Sequence, residues 1–224
     1  VFYSHDRRLY RRPASASASA PRHPHTAEQA AAVSAIVEAA AVGSGTVLLD
    51  GVTGSGKTEV YLAAIERVIG DGGSAIVLVP EISLTPQTVG RFRSRLGDDV
   101  AVIHSRLSAG ERFDQWQLAL EGKVRVVVGA RSALFAPVRR LRLVVIDEEH
   151  EPSYKQGQAP RYHAREVAER LCAARGAALV LGSATPSLES IVRAETGIYQ
   201  RVRLTHRVGG GADPAVEIVD MTAE

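Results

Sequence analysis

Runs of mainly apolar, often β-branched residues recur along the chain and alternate with stretches of helical spacing. The runs cover residues 46–49, 75–79, 100–103, 124–128, 141–146 and 177–181. Strands with one face in water alternate apolar and polar side chains, whereas strands buried on both faces do not. The pattern therefore predicts an α/β fold in which a parallel β-sheet is sandwiched between helices.

A helix signal precedes the first of these strands. Thr26 and Gln29 have the spacing of a capping box, in which each side chain bonds the backbone N–H of the other residue. Regular apolar positions follow, and the pattern predicts a helix over 26–41.

The ends of the chain differ from its middle. Residues 13–20 contain only Pro, Ala and Ser, which cannot build a core. We therefore expect residues 1–25 to be a basic arm and an Ala/Ser linker that end a preceding domain. Residues 26–205 are predicted to form the folded unit, and 206–224 a connector to a further domain.

Composition excludes several classes of protein. The 45% apolar and 23% charged residues are typical of a globular domain and exclude a collagenous or wholly disordered chain. No apolar run is long enough to span a bilayer, so we expect no membrane segment and a cytoplasmic location. The single cysteine, Cys172, excludes an internal disulfide and a cysteine-based zinc site. A protein-only metal site is therefore not expected.

The net charge of +2 is unevenly distributed. Residues 1–25 carry five Arg and one Asp, which gives +4, so residues 26–224 carry 22 basic and 24 acidic side chains, which gives −2. Bulk electrostatic attraction to nucleic acid would require a basic folded unit. Contact with DNA would then depend on local groups, and the isolated unit is expected to bind DNA poorly.

The first predicted strand is followed by a glycine-rich sequence with the spacing G-x-x-x-x-G-K-T of a phosphate-binding loop. Its backbone N–H groups would surround the phosphates of ATP, with a helix N-terminus behind them. Lys57 would reach the terminal phosphates and Thr58 would bind Mg²⁺; a chance Gly-rich turn is the alternative. The predicted ATP-binding residues are Gly51, Thr53, Gly54, Ser55, Gly56, Lys57 and Thr58.

Two further strands end in polar residues. Asp147 and Glu148 follow the 141–146 run, where Asp147 would hold Mg²⁺ and Glu148 would deprotonate the attacking water. A solvated acidic turn is the alternative reading. Ser183 and Thr185 follow the 177–181 run and could contact His150, relaying the state of the γ-phosphate. Alternatively, Thr185 caps a helix that begins at the next residue, a proline.

Together these three motifs resemble the first RecA-like lobe of superfamily 2 helicases. The connecting segments narrow the resemblance to the primosomal replication-restart helicases, and the match extends over about residues 26–205. The segments that carry it are 79–87, 104–105, 129–137, 153–156 and 161–165.

The resemblance implies roles for individual residues. Gln29 would read adenine with its amide, unless it serves only the capping box. Contacts to the backbone of a single DNA strand are implied for Glu81, Thr85, Gln87, Arg131 and Ser132, with a solvated loop charge as the alternative for Arg131.

The loop after the acidic motif resembles the aromatic-rich loop by which this family couples DNA to the ATP site. A base would stack on Tyr154 or Tyr162, while Lys155 and Arg161 would pair with phosphates. A merely packed pair of tyrosines is the alternative.

The resemblance also implies a function: one lobe of an ATP-dependent 3′-to-5′ DNA helicase that restarts stalled replication forks. Its partners would be single-stranded and forked DNA, primosome proteins and single-strand-binding proteins, with a monomeric state. Zinc is expected only in a cysteine-rich module outside this chain, beyond 206–224. Without a second lobe and its arginine finger, the fragment is expected to hydrolyse ATP slowly or not at all. A primosome scaffold with weak helicase activity is the alternative, and a restriction-enzyme motor is more distant.

Overall fold

The structure is a computed structural model that describes residues 24–209. The predicted basic arm and linker lie almost entirely outside the described residues, as does the predicted connector apart from residues 206–209. The domain boundaries at these two ends therefore stay predictions.

Seven parallel strands form one sheet in the order β3-β4-β2-β5-β8-β1-β9. A two-stranded antiparallel hairpin, β6 and β7, stands apart from it. The strands are β1 Thr46–Gly51, β2 Ser74–Leu78, β3 Val100–Ile103, β4 Val126–Gly129, β5 Leu141–Asp147, β6 Lys155–Gln156, β7 Tyr162–His163, β8 Ala178–Ser183 and β9 Gln200–Leu204. All six strands predicted from the apolar runs are confirmed within two residues.

The seventh strand of the sheet, β9, was not predicted. Its sequence alternates polar and apolar residues, and only Leu204 is buried. β9 lies at the edge of the sheet beside β1, where one side faces solvent, so it lacks the continuous apolar run of an inner strand.

Helices cover both faces of the sheet. α1, α2 and α3 pack on one face with Val77 and Val145, while α4 and α5 pack on the other face with Ile76 and Val144. Neighbouring strand residues thus enter opposite cores, which explains the apolar runs. The predicted parallel sheet sandwiched by helices is confirmed. The helices are α1 Ala27–Val42, α2 Lys57–Gly70, α3 Pro86–Leu96, α4 Ala109–Glu121, α5 Ala164–Arg175 and α6 Leu188–Glu195.

The N-terminal cap of α1 confirms a prediction, and the cap of α6 corrects one. The capping box of α1 is present, with Thr26 Oγ1 accepting from the N–H of Gln29 at 3.2 Å and Gln29 Oε1 accepting from the N–H of Thr26 at 3.0 Å. The predicted helix cap at Thr185 is wrong, because Ser187 caps α6 by accepting from the N–H of Ser190. In residues 24–209, no helix is long and apolar enough to cross a membrane.

The loops at the carboxyl ends of the strands fall into two groups. β8 lies between β1 and β5, so the phosphate loop, the acidic motif and the segment after β8 are neighbours. β2, β4 and β3 occupy the other half of the edge, and the segments after β2 and β4 carry five of the residues predicted to contact DNA: Glu81, Thr85, Gln87, Arg131 and Ser132. Ligand sites of parallel sheets lie at this edge, so the fold places two predicted sites side by side.

Gly129 at the end of β4 permits a close approach between two strand-end loops. A Cβ there would overlap the carbonyl oxygen of Ile103 and lie 2.7 Å from the Cβ of Ala133. We expect Gly129→Ala to lower the free energy of unfolding by about 1–3 kcal/mol, because backbone atoms cannot yield as side chains do. Gly90→Ala is the control, since a Cβ there meets nothing within 4 Å in the exposed middle of α3. Urea unfolding should show that this control stabilises by about 0.5–1 kcal/mol; equal losses in both variants would contradict the steric explanation.

Candidate nucleotide and nucleic-acid site

The phosphate loop connects β1 to α2 in a compact turn. Lys57, the first residue of α2, is buried and donates from Nζ to the carbonyl oxygen of Gly51 at 2.8 Å. Ser55 Oγ is buried without a hydrogen-bond partner. An ammonium group and a hydroxyl donor are thus held inside the loop, where a phosphate would accept from them.

Gln29 braces this loop from α1. Its Nε2 donates to the carbonyl oxygen of Ser55 at 2.9 Å, while its Oε1 serves the capping box. Gly56 has a φ of 84°, and a Cβ at that position would overlap Gln29 Nε2. One glutamine therefore caps α1 and fixes the loop, and its contact with adenine stays a prediction.

A second brace was missed by sequence reasoning. The N–H of Val208, in the segment after β9, donates to the carbonyl oxygen of Gly54 at 2.9 Å. Thr205, at the end of the same strand, bonds the carboxylate of Glu28 in α1. No motif marks these contacts in the sequence, because they depend on where β9 lies in the sheet.

Asp147 ends β5 and is held by two tyrosine hydroxyls. Tyr61 of α2 donates to Asp147 Oδ1 at 3.0 Å, and Tyr154 donates to the backbone oxygen of Asp147 at 2.7 Å. Burial, and then the neighbouring Glu148, raise the pKa of Asp147 to about 6. Burial, followed by the charge of Asp147, also raises the pKa of Tyr61 well above its usual value, so its hydroxyl remains a donor.

Glu148 has an unusual backbone conformation. Its φ of 46° lies in the left-handed region, which a residue with a Cβ occupies at a cost in free energy. Strain of this kind persists where surrounding contacts enforce it, and here both neighbours are held: Asp147 by the tyrosines and Glu149 by its N–H bond to the oxygen of Gly182. The carboxylate of Glu148 remains partly exposed at the site.

His150 links the acidic motif to the segment after β8. Its Nδ1 lies 2.8 Å from Ser183 Oγ and 3.8 Å from a carboxylate oxygen of Glu148, while its Nε2 lies 3.5 Å from Thr185 Oγ1. The predicted contacts of His150 with both hydroxyl groups are confirmed. Their role in relaying the nucleotide state stays a prediction.

These residues fit ATP and Mg²⁺. The loop offers backbone N–H groups at the N-terminus of α2, the buried Ser55 Oγ lacks a partner, and Asp147 supplies a hard oxygen ligand. Thr58 lies in the first turn of α2 and Thr53 is exposed on the loop. No group of three or more His, Cys, Asp or Glu side chains in residues 24–209 is placed to hold a metal ion alone.

Arg131 organises the loop after the acidic motif. Its Nη1 donates to the carbonyl oxygens of Ser153 and Lys155, each at 2.7 Å, and its Nη2 donates to Gln156 Oε1. The guanidinium carbon also lies 5.7 Å from the ring centre of Tyr162. Arg131 is therefore bonded within the protein rather than a free solvated loop charge, and its contact with DNA stays a prediction.

The two tyrosines of this loop have different environments. Tyr154 is only 1% exposed and packs in the core below β5, so the prediction that it stacks on a base is wrong. Tyr162 is partly exposed and meets Phe135 edge to face, with ring centres 5.5 Å apart. Phe135, 49% exposed, was missed by sequence reasoning, although it lies in a segment that carries the family resemblance.

The other predicted DNA contacts lie at exposed positions near the carboxyl ends of the strands. Glu81 accepts a hydrogen bond from Ser105, and Thr85 caps α3 by accepting from the N–H of Thr88 at 3.2 Å. Exposed positions are also occupied by Gln87, Ser132, Lys155 and Arg161. The structure thus places these groups at the surface, and their contact with DNA stays a prediction.

The fold and this site define the nucleotide-binding lobe of a P-loop helicase. The DEAD/DEAH box helicase family matches residues 26–194, which is most of the chain. The chain therefore belongs to the DEAD/DEAH box helicases.

Relatives within this family confirm the resemblance to replication-restart helicases. The chain is 57% identical to the replication restart protein PriA of Bacillus subtilis over 177 residues, 79% of this chain and 22% of that protein. It is 49% identical to PriA of Treponema pallidum over 88% of this chain and 30% of that protein. The chain thus spans between a fifth and a third of the length of these relatives.

Solved helicase structures share the fold. RecG bound to a three-way DNA junction superposes with a TM-score of 0.61 over 86% of this chain and 25% of that chain, at 22% identity. A hypothetical ATP-dependent RNA helicase from Sulfolobus tokodaii superposes with a TM-score of 0.57 over 81% of this chain and 53% of that chain, at 18% identity. These structures confirm the RecA-like fold.

The raised pKa of Asp147 predicts a pH-dependent cost in stability. With a pKa of 3.8 in the unfolded chain and about 6 when folded, the folded protein binds more protons between these values. Stability therefore falls as the pH rises through this window and stays lower above it. We expect Asp147→Asn to raise the free energy of unfolding in EDTA by about 1–3 kcal/mol at pH 8.

Urea unfolding of the variant and the parent at pH 8 and pH 4 measures this effect. The gain should shrink at pH 4, where Asp147 is largely protonated in the folded protein. Asp114→Asn, at an exposed position of α4, is the control and should change stability little at either pH. A gain at pH 4 equal to that at pH 8 would show that the charge is not its cause.

Proposed function

We propose that the chain is the ATP-binding and hydrolysing lobe of a 3′-to-5′ DNA helicase that restarts stalled replication forks. The observation that carries this proposal is the bond from Tyr154 to the backbone of Asp147. Through it, the loop that resembles a DNA-coupling element is fastened to the residue that would hold Mg²⁺. Such a bond would let a displacement of the loop reach the residue that would hold Mg²⁺.

ATP is handled by the groups between β1, β8 and β5. Lys57, released from the carbonyl of Gly51, contacts the terminal phosphates, and Gln29 reaches adenine while bracing the loop. Thr58 and Asp147 would hold Mg²⁺, which would supply positive charge to neutralise the phosphates. Glu148 accepts a proton from the attacking water, and His150 reports hydrolysis to Ser183 and Thr185.

DNA lies across the other half of the sheet edge. The exposed pair formed by Tyr162 and Phe135 offers an aromatic face to unstacked bases, with Lys155 and Arg161 nearby in sequence for phosphates. Arg131 shapes this surface by holding the loop carbonyls. Contact with the backbone of the strand is completed by Glu81, Thr85, Gln87 and Ser132.

The wider role follows from the relatives' name, replication restart protein. The full-length protein would recognise single-stranded and forked DNA and act with primosome and single-strand-binding proteins to reload the replication machinery. It would act as a cytoplasmic monomer, and its zinc would bind outside this chain. Lys57, Thr58, Asp147 and Glu148 are all intact, which favours an active motor over a scaffold with vestigial activity.

Two variants test the ATPase. In the full-length protein, Lys57→Ala and Glu148→Gln should each lower DNA-stimulated ATP hydrolysis by at least about 100-fold, because one loses a phosphate ligand and the other the base for water. Lys123→Ala, at an exposed lysine paired with Glu121, is the control and should keep parental turnover. Full turnover in the Glu148 variant would overturn the assigned mechanism, and fork restart without ATP hydrolysis would favour the scaffold.

The aromatic pair predicts a specific loss of DNA affinity. Phe135→Ala and Tyr162→Ala should each weaken binding of a single-stranded oligonucleotide to the full-length protein by about 1–3 kcal/mol, the usual value of a base stacked on an aromatic ring. Phe113→Ala is the control, since this phenylalanine is 60% exposed on α4 and lacks an aromatic partner among the ring contacts described. Fluorescence anisotropy measures the affinity, and an equal loss in the control would contradict the assigned platform.

A further inference from the structure

Glu149 is buried, unlike its neighbours Asp147, Glu148 and His150. Its Oε1 accepts from the N–H of Ser187 at 2.7 Å, at the start of α6. Its Oε2 accepts from Ser187 Oγ and from the guanidinium of Arg165, both at 3.2 Å. The third acid of the motif therefore points away from the nucleotide and into the protein.

Arg165 stands at the end of the DNA-coupling loop, in the first turn of α5. Besides Glu149, its Nη1 donates to Ser187 Oγ at 2.8 Å and to Ser190 Oγ at 3.2 Å. Arg165, at the end of the loop, thus compensates the charge of Glu149. Both side chains also bond Ser187 at the N-terminus of α6. A buried carboxylate cannot lose such a partner without large cost, so the three segments must shift together.

The network is not optimised for stability alone. Arg165 Nε is buried without a hydrogen-bond partner, although buried polar groups are usually satisfied. A donor of this kind can gain a partner only if the network rearranges. This donor, Arg165 Nε, belongs to the residue that connects the end of the loop to Glu149.

We propose that Glu149 is a positioning residue that transmits the engagement of DNA by the loop to Glu148 and to the segment after β8. The inference rests on the proposed function, in which this loop binds DNA. Tyr154 fastens the start of the loop to Asp147, and Arg165 fastens its end to Glu149, so the strained Glu148 lies between two attachment points. A displacement of the loop changes the orientation of Glu148 through both.

A second ion pair, between α5 and α6, provides a control. Glu169 of α5 accepts from Arg193 of α6 at 2.6 Å and from the hydroxyl of Tyr199. This pair also joins α5 to α6 through a carboxylate, but it contacts neither the acidic motif nor the loop. Glu169→Gln therefore removes a partly exposed carboxylate link between α5 and α6 without touching the connection.

The test compares Glu149→Gln and Glu169→Gln in the full-length protein, with steady-state ATP hydrolysis measured with and without single-stranded DNA. We expect Glu149→Gln to lower the DNA-stimulated kcat at least about tenfold more than the basal kcat, with KM for ATP and DNA affinity within about twofold of the parent. Glu169→Gln should keep the parental ratio of stimulated to basal turnover, even where it lowers the Tm.

The outcomes separate this inference from the proposed function. If DNA does not stimulate the parent protein, the proposed function fails. If the parent is stimulated and Glu149→Gln keeps the same ratio as Glu169→Gln, or lowers both rates equally, Glu149 has only a structural role. Should Glu149→Gln not fold, Arg165→Lys decides, because it keeps the charge but lacks the planar, pre-organised guanidinium that joins Glu149 to both serines. A loss of stimulation supports the inference, and a parental ratio overturns it.

Discussion

Tyr61 joins the helix after the phosphate loop to the acidic strand, and the arrangement of the site depends on this contact. Its hydroxyl bonds the carboxylate of Asp147 and occupies the space where any residue other than glycine at position 182 would place a Cβ. Strand β8, which carries Gly182, lies between β1 and β5, so the phosphate loop and the acidic motif are one strand apart. A glycine on the intervening strand lets a single side chain span that separation.

The site is held in this form against its own local preferences. Burial disfavours the charge of Asp147, and Glu148 occupies a left-handed backbone conformation. Both are maintained by an apolar core on each face of the sheet, which fixes the strand on which they end. Packing in the two cores thus offsets the free energy that these two acidic residues cost. Such a trade between stability and function is common where a site needs buried charge.

Sequence reasoning succeeded where local rules govern the outcome. Buried strands, the phosphate loop and the capping box of α1 follow from patterns within a few residues, and all are present. It failed where the fate of a side chain depends on distant neighbours. Tyr154 and Tyr162 belong to the same loop segment, and the sequence does not distinguish them. Tyr154 nevertheless lies under β5 and Tyr162 at the surface, because the chain reverses between them in the hairpin formed by β6 and β7. Arg131 likewise bonds carbonyls more than twenty residues away.

The same hairpin joins the two groups of loops at the edge of the sheet. Its base is fastened to the acidic motif through Tyr154, and its surface is shaped by Arg131 from the loop after β4. Since β4 and β5 flank β2, the hairpin bridges the half of the edge that carries the phosphate loop and the acidic motif and the half that carries the loops after β2 and β4. Any displacement of the hairpin must alter its bonds to one half or the other. Because the bonds to the acidic motif involve buried groups, they are the costlier to break, and a displacement is therefore transmitted toward the acidic motif.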